Sequence, residues 1–322
     1  MAVYTVVTED DARALLVRLR RGALTRLQGI PAGIENTNYF VDSDSGRFVL
    51  TVFERLTADQ LPYYLFLMKH LASHGIPVPD PQADASGELL FAVQGKPAAL
   101  LTRLPGSHRL APDLAHAQQV AALLARMHRV GQQFSLDQPH LRGLAWWTET
   151  VPVVRPALDA DRATLLADEL AYQQAVAASP VGRGLPRGPI HADLFRDNAL
   201  FDGPPGHDTL TGVLDFFFAG TDALLFDIAV CLNDWCTDLD SGRLDETRAQ
   251  AFVAAYDQER HLTVAELMLM PAMLRAAAFR FWLSRLWDLH LPRDAALLTA
   301  HDPGHFERVL RERIATPWHP AR

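Results

Sequence analysis

Four polar residues near the middle of the sequence have types and a spacing that suit metal-assisted chemistry. The segment HADLFRDN contains His191, Asp193 and Asn198, and Asp215 follows at the end of the run GVLD. A carboxylate can orient an acceptor hydroxyl and take its proton, while an asparagine and a second aspartate supply oxygen ligands for magnesium. We therefore predict Asp193 as the catalytic group and Asn198 and Asp215 as Mg²⁺ ligands. We expect His191 to brace the loop by hydrogen bonds.

The spacing within this segment is typical of a kinase catalytic loop. Asn198 follows Asp193 by five residues, and a strand and a turn then lead to Asp215, as in the kinase pattern. A surface turn rich in Asp and Asn is the alternative, but the apolar flanks PI and ALF predict buried strands on both sides. A hydrolytic zinc site would need a further His or Glu at a useful spacing. The pattern favours phosphoryl transfer from ATP with Mg²⁺ as the metal.

Composition limits the class of partner and the compartment. The chain has 322 residues, which favours two lobes, and its net charge of -8 argues against nucleic-acid or anionic-membrane binding. Two cysteines, Cys231 and Cys236, provide no disulfide framework and are predicted to be core residues rather than metal ligands. The first residues lack a secretory signal and no run is long enough to cross a membrane, so we expect a cytoplasmic protein of undefined oligomeric state.

The pattern of elements predicts an α+β, two-lobed, protein-kinase-like fold. Thr8 and Asp11 form a potential capping box before a helix, and NYFV and RFVLTVFE form a potential hairpin. A helix from about Ala58 to His74 and strands at 88–93 and 98–104 follow. Beyond LPGSH the pattern is mostly helical, at 112–130, much of 146–178, 222–236, 245–257 and 263–290. We therefore predict a β-rich, nucleotide-binding N-lobe at residues 1–104 and a helical C-lobe at 105–322 with the catalytic loop and acceptor site.

Several segments together resemble a known superfamily. HADLFRDNALF, GVLDF and the D-x4-D-I-A element from Asp222 to Ala229 resemble aminoglycoside phosphotransferases and choline kinases. The resemblance implies a protein-kinase-like fold in which Asp227 supports the catalytic loop; a helix-capping role is the alternative. GIENTNYFV, VLTVFE and DFFFAGTDALLFDIAVCLNDWC resemble the bacterial type II homoserine kinases over nearly the whole chain. That resemblance implies phosphorylation of the side-chain hydroxyl of L-homoserine in threonine biosynthesis.

The nucleotide-binding elements depart from the usual kinase pattern. The glycine-rich loop is reduced to Gly29 and Gly33, although its amides could still approach phosphates. The third strand reads Val-Leu-Thr, with Thr51 where a lysine is expected, and Arg55 is a hypothetical replacement for that charge. Adenine is expected against main-chain groups near Thr102 and Leu104. The predicted nucleotide contacts are Gly33, Asn36, Thr37, Thr51, Thr102 and Leu104.

The acceptor pocket is the least defined part of the sequence. A homoserine acceptor would need a cation for its carboxylate and an acidic or carbonyl group for its ammonium. The candidates near the catalytic loop are Arg196, Asp234, Trp235 and Arg280, with core packing as the alternative for the tryptophan. Two competing functions remain at this stage. One is a kinase acting on choline, ethanolamine, methylthioribose or an aminoglycoside, and the other is a catalytically silent kinase-like module that binds nucleotide.

Overall fold

A computed structural model describes residues 4–31, 36–204, 206–290 and 302–321. The chain divides into two compact units. The first unit comprises Met1–Gly106 and Thr211–Leu214, and the second comprises Ser107–Leu210 and Asp215–Arg322. Gly33, one of the predicted nucleotide contacts, lies outside the described residues.

The first unit is built on a five-stranded antiparallel sheet in the order β1-β2-β3-β5-β4. The predicted hairpin is confirmed, because β2 and β3 pair without a break from Asn36↔Phe53 to Ser43↔Gly46. Alternate residues of the central strands are buried against α1, which gives this unit its own apolar core. The elements are α1 (Glu9–Leu19), β1 (Leu24–Gly29), β2 (Asn36–Ser43), β3 (Gly46–Phe53), α2 (Pro62–Ser73), β4 (Phe91–Val93) and β5 (Lys96–Thr102).

Local signals explain where the helices of this unit begin. Helix α1 starts after Thr8, and both hydrogen bonds of the predicted capping box with Asp11 are present. The predicted start of α2 at Ala58 is wrong, because the helix begins at Pro62. Proline suits the first helical turn, where its missing N–H is not needed.

The second unit is mostly helical. The prediction that much of 146–178 is helical is confirmed: α4 ends at Val154, a short 3₁₀ turn follows, and Asp159 caps the first turn of α5. A helix at the C-terminal end of the described chain, α10, was not predicted. The elements that follow β5 in the chain are α3 (Leu114–Gly131), α4 (Leu144–Val154), α5 (Ala160–Ala178), α6 (Pro180–Arg183), β6 (Arg187–Ile190), β7 (Ala199–Asp202), β8 (Thr209–Val213), β9 (Gly220–Ala223), α7 (Leu224–Trp235), α8 (Glu246–Glu259), α9 (Val264–His290) and α10 (Gly304–Ala315). All belong to the second unit except the part of β8 from Thr211, which belongs to the first.

Helix α7 occupies the centre of the second unit. Almost all its residues are buried, including Asp227, Cys231 and Trp235. Its polar groups must therefore be satisfied inside the protein. Cys231 and Cys236 are buried and free, as predicted for core residues. Strands β6 and β9 pair with each other in antiparallel orientation; β6 directly precedes the catalytic loop and β9 directly precedes α7. This pairing brings the start of α7 to the start of the loop.

Candidate active site

The catalytic loop turns sharply after β6, at Ala192. This residue has φ of 65°, a left-handed conformation that is strained for any residue with a side chain. The main-chain N–H groups of His191 and Ala192 both donate to the carboxylate of Asp227 at 2.7 Å. Two charge-assisted hydrogen bonds can offset a backbone strain of about 1–3 kcal/mol. Asp227 therefore holds the turn that presents the next residue, Asp193.

A hydrogen-bond chain behind the loop fixes Asp227 in turn. Its fully buried carboxylate contacts His128 Nε2 of α3 at 3.1 Å, and His128 Nδ1 lies 2.7 Å from the hydroxyl of Tyr256 in α8. Burial opposes the charge on Asp227, but the contacts with His128 and with the main chain of His191 outweigh it and lower the pKa of the carboxyl. Asp227 is therefore an ionised anchor. Sequence reasoning missed His128 and Tyr256, which have no local signal.

Asp193 and Asn198 are joined within the loop. The side-chain amide of Asn198 donates to the main-chain oxygen of Asp193 at 2.8 Å, which turns its amide oxygen to the opposite side. The N–H of Asp193 donates to His191 Nδ1 at 3.2 Å, so the proton of a neutral His191 ring lies on Nε2. His191 is buried and contacts the loop backbone, which agrees with a bracing role. The Asp193 side chain is 17% exposed, so one face of the carboxylate remains open to solvent.

Asp215, the second predicted metal ligand, is placed near the catalytic loop by the next residue, Phe216. Phe216 is buried, and its ring lies 4.6 Å from the ring of His191. Asp215 precedes it with φ of 60° and is exposed. Strained residues that the surrounding structure holds in place cluster at functional sites, and both Ala192 and Asp215 belong to this class.

The donor atoms of Asn198 and Asp215 fit a hard divalent cation. An amide oxygen and a carboxylate are the ligand types that Mg²⁺ and Ca²⁺ prefer. Among the described residues, no group of three or more His, Cys, Asp or Glu side chains is placed to hold a metal ion. This finding gives no support to the zinc alternative, which needs such a group.

Arg280 of α9 lies next to the predicted catalytic carboxylate. Its Nη1 is 3.8 Å from Asp193 Oδ1, and its side chain is only 4% exposed. The guanidinium carbon lies 3.9 Å from the ring centre of Phe281 and 5.1 Å from that of Phe218, within the range of cation–π attraction. A buried cation therefore faces Asp193 from an element about 90 residues further along the chain.

The chain matches a known family over most of its length. Residues 26–262 match the phosphotransferase enzyme family (APH). The chain belongs to this family. It is 60% identical to the homoserine kinase of Polaromonas naphthalenivorans (strain CJ2) over 99% of each chain. It is also 52% identical to the homoserine kinase of Janthinobacterium sp. (strain Marseille) over 98% of each. The predicted membership of the homoserine kinase group is thus confirmed.

Solved structures confirm the predicted protein-kinase-like α+β fold. The amicoumacin kinase hAmiN, solved with AMP-PNP and Ca²⁺, superposes with a TM-score of 0.66 at 19% identity, covering 89% of this chain and 86% of that one. The choline kinase of Cryptosporidium parvum Iowa II gives a TM-score of 0.62 at 12% identity, covering 90% and 89%. No helix in the described part of the phosphotransferase is both long and apolar enough to cross a membrane.

Three of the predicted acceptor contacts, Arg196, Asp234 and Trp235, make hydrogen bonds that hold the catalytic loop in place. Asp234 accepts from the main-chain N–H of Arg196 at 2.8 Å and from its Nε, and Arg196 Nη1 donates to Leu110 O at 3.0 Å. The buried indole of Trp235 donates to Leu194 O at 2.9 Å. These contacts attach the loop of this phosphotransferase to the C-terminal half of α7.

The predicted nucleotide contacts in the first unit are partly engaged in contacts within that unit. The fully buried Thr37 hydroxyl donates to Glu54 at 2.6 Å and accepts from two N–H groups of the N-terminal segment. Thr51 donates to Asn38 Oδ1 at 2.8 Å, and Thr102 accepts from Asp80 N at 2.9 Å. The side chain of Leu104 packs against Gly212, and Asn36 is the first residue of β2.

Lys96 forms an ion pair that the sequence did not suggest. It contacts Glu54 and donates to Thr5 Oγ1 at 2.9 Å. Hydrogen bonds from Lys96, Thr37 and Thr5 outweigh burial, the largest single effect, and lower the pKa of Glu54. This network joins the N-terminal segment, β2, β3 and β5, whereas Arg55 is exposed.

Proposed function

We propose that this phosphotransferase is an ATP-dependent homoserine kinase that phosphorylates the side-chain hydroxyl of L-homoserine, a step of threonine biosynthesis. The observation that carries the proposal is the high identity to homoserine kinases over nearly the full length of both chains. The arrangement of Asp193, Asn198 and Arg280 agrees with such an activity. No covalent phosphoenzyme is needed, because the acceptor hydroxyl can attack the γ-phosphorus directly and ADP leaves.

Asp193 acts on the acceptor hydroxyl. Its carboxylate accepts the hydroxyl hydrogen bond, orients the oxygen towards the phosphorus and takes the proton as the new O–P bond forms. His191 and Asp227 hold the loop in the strained turn, so the carboxylate does not have to be reoriented during the reaction. We assign both to positioning rather than to proton transfer.

Asn198 and Asp215 would hold the divalent metal, which we propose to be Mg²⁺. When bound, the metal neutralises phosphate charge and aligns the leaving oxygen. The hydrogen bond from Asn198 to the main chain of Asp193 means that a metal ligand and the catalytic group are held at fixed relative positions. For ATP itself, we propose contacts with the N-lobe residues Asn36, Thr37 and Thr51 and with main-chain groups near Thr102 and Leu104. The side chains of Thr37 and Thr51 already hydrogen-bond within the first unit, and the main chain of Thr51 lies in a strand paired on both sides, so Asn36 and the main-chain groups near Thr102 and Leu104 are the better candidates.

The proposal is tested by release of ADP from Mg·ATP with a panel of acceptors. The panel contains L-homoserine, choline, ethanolamine, methylthioribose and an aminoglycoside. L-Homoserine should give the highest kcat/KM, and the same assay with Mn²⁺ or Ca²⁺ in place of Mg²⁺ tests the metal. Turnover restricted to another acceptor would refute the homoserine assignment, and no turnover with any acceptor would favour the silent module.

A pair of variants in the loop tests the catalytic assignment. Asp193→Asn should lower kcat about 10²–10⁴-fold, the usual contribution of a positioned general base, with nucleotide binding retained. Asp197→Asn is the matched control, because Asp197 is an exposed carboxylate in the same loop and should leave kcat within about twofold. Full activity of Asp193→Asn would mean that another group accepts the proton.

A further inference from the structure

An amino-acid acceptor requires a cation near the catalytic carboxylate. Arg196 and Arg280 are the two arginines that the sequence suggested for this purpose. Arg196 is already paired with Asp234 through its Nε and main-chain N–H, and it also donates to Leu110 O. Arg280 is the one whose guanidinium contacts Asp193. The two arginines are therefore not equivalent, although both lie near the loop.

One donor of the Arg280 guanidinium, its buried Nε, has no hydrogen-bond partner among the described residues, and the contact between Nη1 and Asp193 is long. At 3.8 Å it is longer than a charge-assisted hydrogen bond, which is normally about 2.7–2.9 Å. A guanidinium has five N–H donors in a planar fork, so an approach of Nη1 to one carboxylate is compatible with a bidentate contact to another. The rings of Phe281 and Phe218 lie beside the guanidinium and limit its movement.

We infer that Arg280 binds the α-carboxylate of the acceptor and thereby selects an amino acid over an amino alcohol. The inference rests on the proposed homoserine kinase activity. In L-homoserine the hydroxyl oxygen and the carboxylate carbon are four bonds apart, roughly 5 Å when extended, from bond lengths of about 1.5 Å. A hydroxyl bonded to Asp193 thus places the carboxylate within reach of a guanidinium whose Nη1 is 3.8 Å from the Asp193 side chain.

A second group on the same face of α9 agrees with this placement. Ser284 lies one helical turn after Arg280, and residues four apart share a helix face. Its hydroxyl is buried and has no hydrogen-bond partner among the described residues. Buried hydroxyls are normally satisfied, so a polar group of the acceptor is the type of partner that this face would bind.

Burial explains why such a contact would discriminate strongly. Arg280 is almost fully removed from solvent, where an ion pair is screened less than at the surface. An acceptor that lacks the carboxylate leaves the guanidinium without that anion. Sites built around a polar substrate group reject analogues that lack the group by up to about 10⁴–10⁵-fold. We expect a preference of about 10²–10⁴-fold, because Asp193 partly balances the charge.

The experiment compares two acceptors and three variants. L-Homoserine and 3-aminopropan-1-ol share the hydroxyl and the ammonium and differ only in the carboxylate. Arg280→Met should lower kcat/KM for L-homoserine at least about 10²-fold more than kcat/KM for 3-aminopropan-1-ol, with the difference mainly in KM. Arg280→Lys, which keeps the charge but not the fork, should give an intermediate ratio. Arg285→Met, another arginine of α9, is the matched control and should leave the ratio unchanged.

A measurement of binding affinity tests the inference even where an acceptor turns over too slowly, or a variant is too inactive, for kinetics. L-2-Aminobutanoate is L-homoserine without its hydroxyl, and calorimetry should show that Arg280→Met loses affinity for it at least about 10²-fold. Unfolding temperature and nucleotide affinity establish that each variant is folded. If Arg280→Met does not fold, Arg280→Lys decides, with at least about a tenfold fall in the acceptor ratio expected.

The possible failures are distinguishable. Equal losses with both acceptors would mean that Arg280 acts on Asp193 or on the transferred phosphoryl group, which would overturn the inference. An unchanged ratio in both Arg280 variants would also overturn it. Absence of L-homoserine turnover in the unmodified enzyme would instead refute the proposed function.

Discussion

Replacement of Asp227 by asparagine perturbs the catalytic loop at the point where it is anchored. The variant keeps the size of the side chain but removes its charge and one acceptor oxygen. Asp227 accepts from the N–H groups of His191 and Ala192 at 2.7 Å and contacts His128 at 3.1 Å. An amide has one oxygen, so at least one main-chain N–H must face an NH₂ group.

The expected destabilisation follows from these contacts. Loss of one charge-assisted hydrogen bond costs about 1.5–3 kcal/mol, and the buried N–H left without a partner costs a further 1–3 kcal/mol or so. We therefore expect the free energy of unfolding to fall by about 3–5 kcal/mol, a large part of the 5–15 kcal/mol that is usual for a domain. The unfolding temperature should fall by roughly 10 °C.

The fall in kcat should be larger than the loss of folding stability alone would cause. With one of the two bonds lost, the strain at Ala192 is only partly offset, and the turn should relax and displace Asp193. A displacement of about 1 Å can cost 10²-fold in rate, so kcat should fall about 10²-fold with nucleotide affinity retained. Steady-state kinetics with L-homoserine and calorimetry with ATP check the two effects separately.

The double variant Asp227→Asn with Ala192→Gly isolates the role of backbone strain. Glycine adopts positive φ without steric cost, so the second change should restore about 1 kcal/mol of stability. If Asp227→Asn kept both its kcat and its unfolding temperature, the loop would be held by other contacts and the reasoning would be refuted. If Ala192→Gly destabilised the protein instead, strain at this turn would be excluded as a factor.

Asp227→Asn should also change how the stability of the protein depends on pH under acidic conditions. Since the pKa of Asp227 is lowered from 3.8, its charged form stabilises the fold in full above that pH. This contribution is lost as pH falls through the lower folded-state pKa. Urea unfolding at a series of acidic pH values should therefore show a shallower loss of stability in Asp227→Asn. An unchanged acid dependence would mean that other carboxylates account for it.

Three further predictions concern residues away from the loop turn. Arg313→Met should lower the free energy of unfolding in urea by about 3 kcal/mol, because the buried guanidinium satisfies three neutral oxygen acceptors; a change under 1 kcal/mol would contradict this. Burial, opposed by the hydrogen bond to Asp222, lowers the pKa of His140 from 6.5, so its stabilising effect is complete above that pH and lost below it. His140→Gln should flatten the fall in stability between about pH 7 and pH 5, and an unchanged slope would refute the assignment. Arg55→Ala should raise the KM for ATP if this exposed arginine replaces the missing lysine, and unaltered ATP kinetics would exclude it.

Local chemistry made part of the fold and site predictable. The hairpin between β2 and β3 follows from two alternating runs around a short polar turn, and the helix after Thr8 follows from its capping box. The loop from His191 to Asn198 was predictable because its chemistry and its apolar flanks lie in one short segment. Signals of this kind depend on neighbouring residues and need no knowledge of the packing.

The ends of helices were harder to predict than their existence. Residues 146–178 are rich in helix-forming alanine and leucine, and the prediction that much of this range is helical is confirmed, but it did not locate the break between two helices. The structure ends α4 at Val154 and starts α5 after Asp159. Pro156 removes an N–H that a continuing helix needs, and Asp159 caps the next helix. Proline alone does not mark the break, since Pro152 lies inside α4, but Pro156 followed by the capping residue Asp159 could have located it.

The roles of individual charged residues depended on contacts that local sequence does not encode. Arg196, Asp234 and Trp235 were equal candidates with Arg280, because all four have suitable types near the loop. Packing of α7 against the loop satisfies the first three internally, whereas α9 places Arg280 beside Asp193. The residue most suited to bind the acceptor is therefore the one whose cation faces the reacting carboxylate, and only the tertiary structure separates it from the other three.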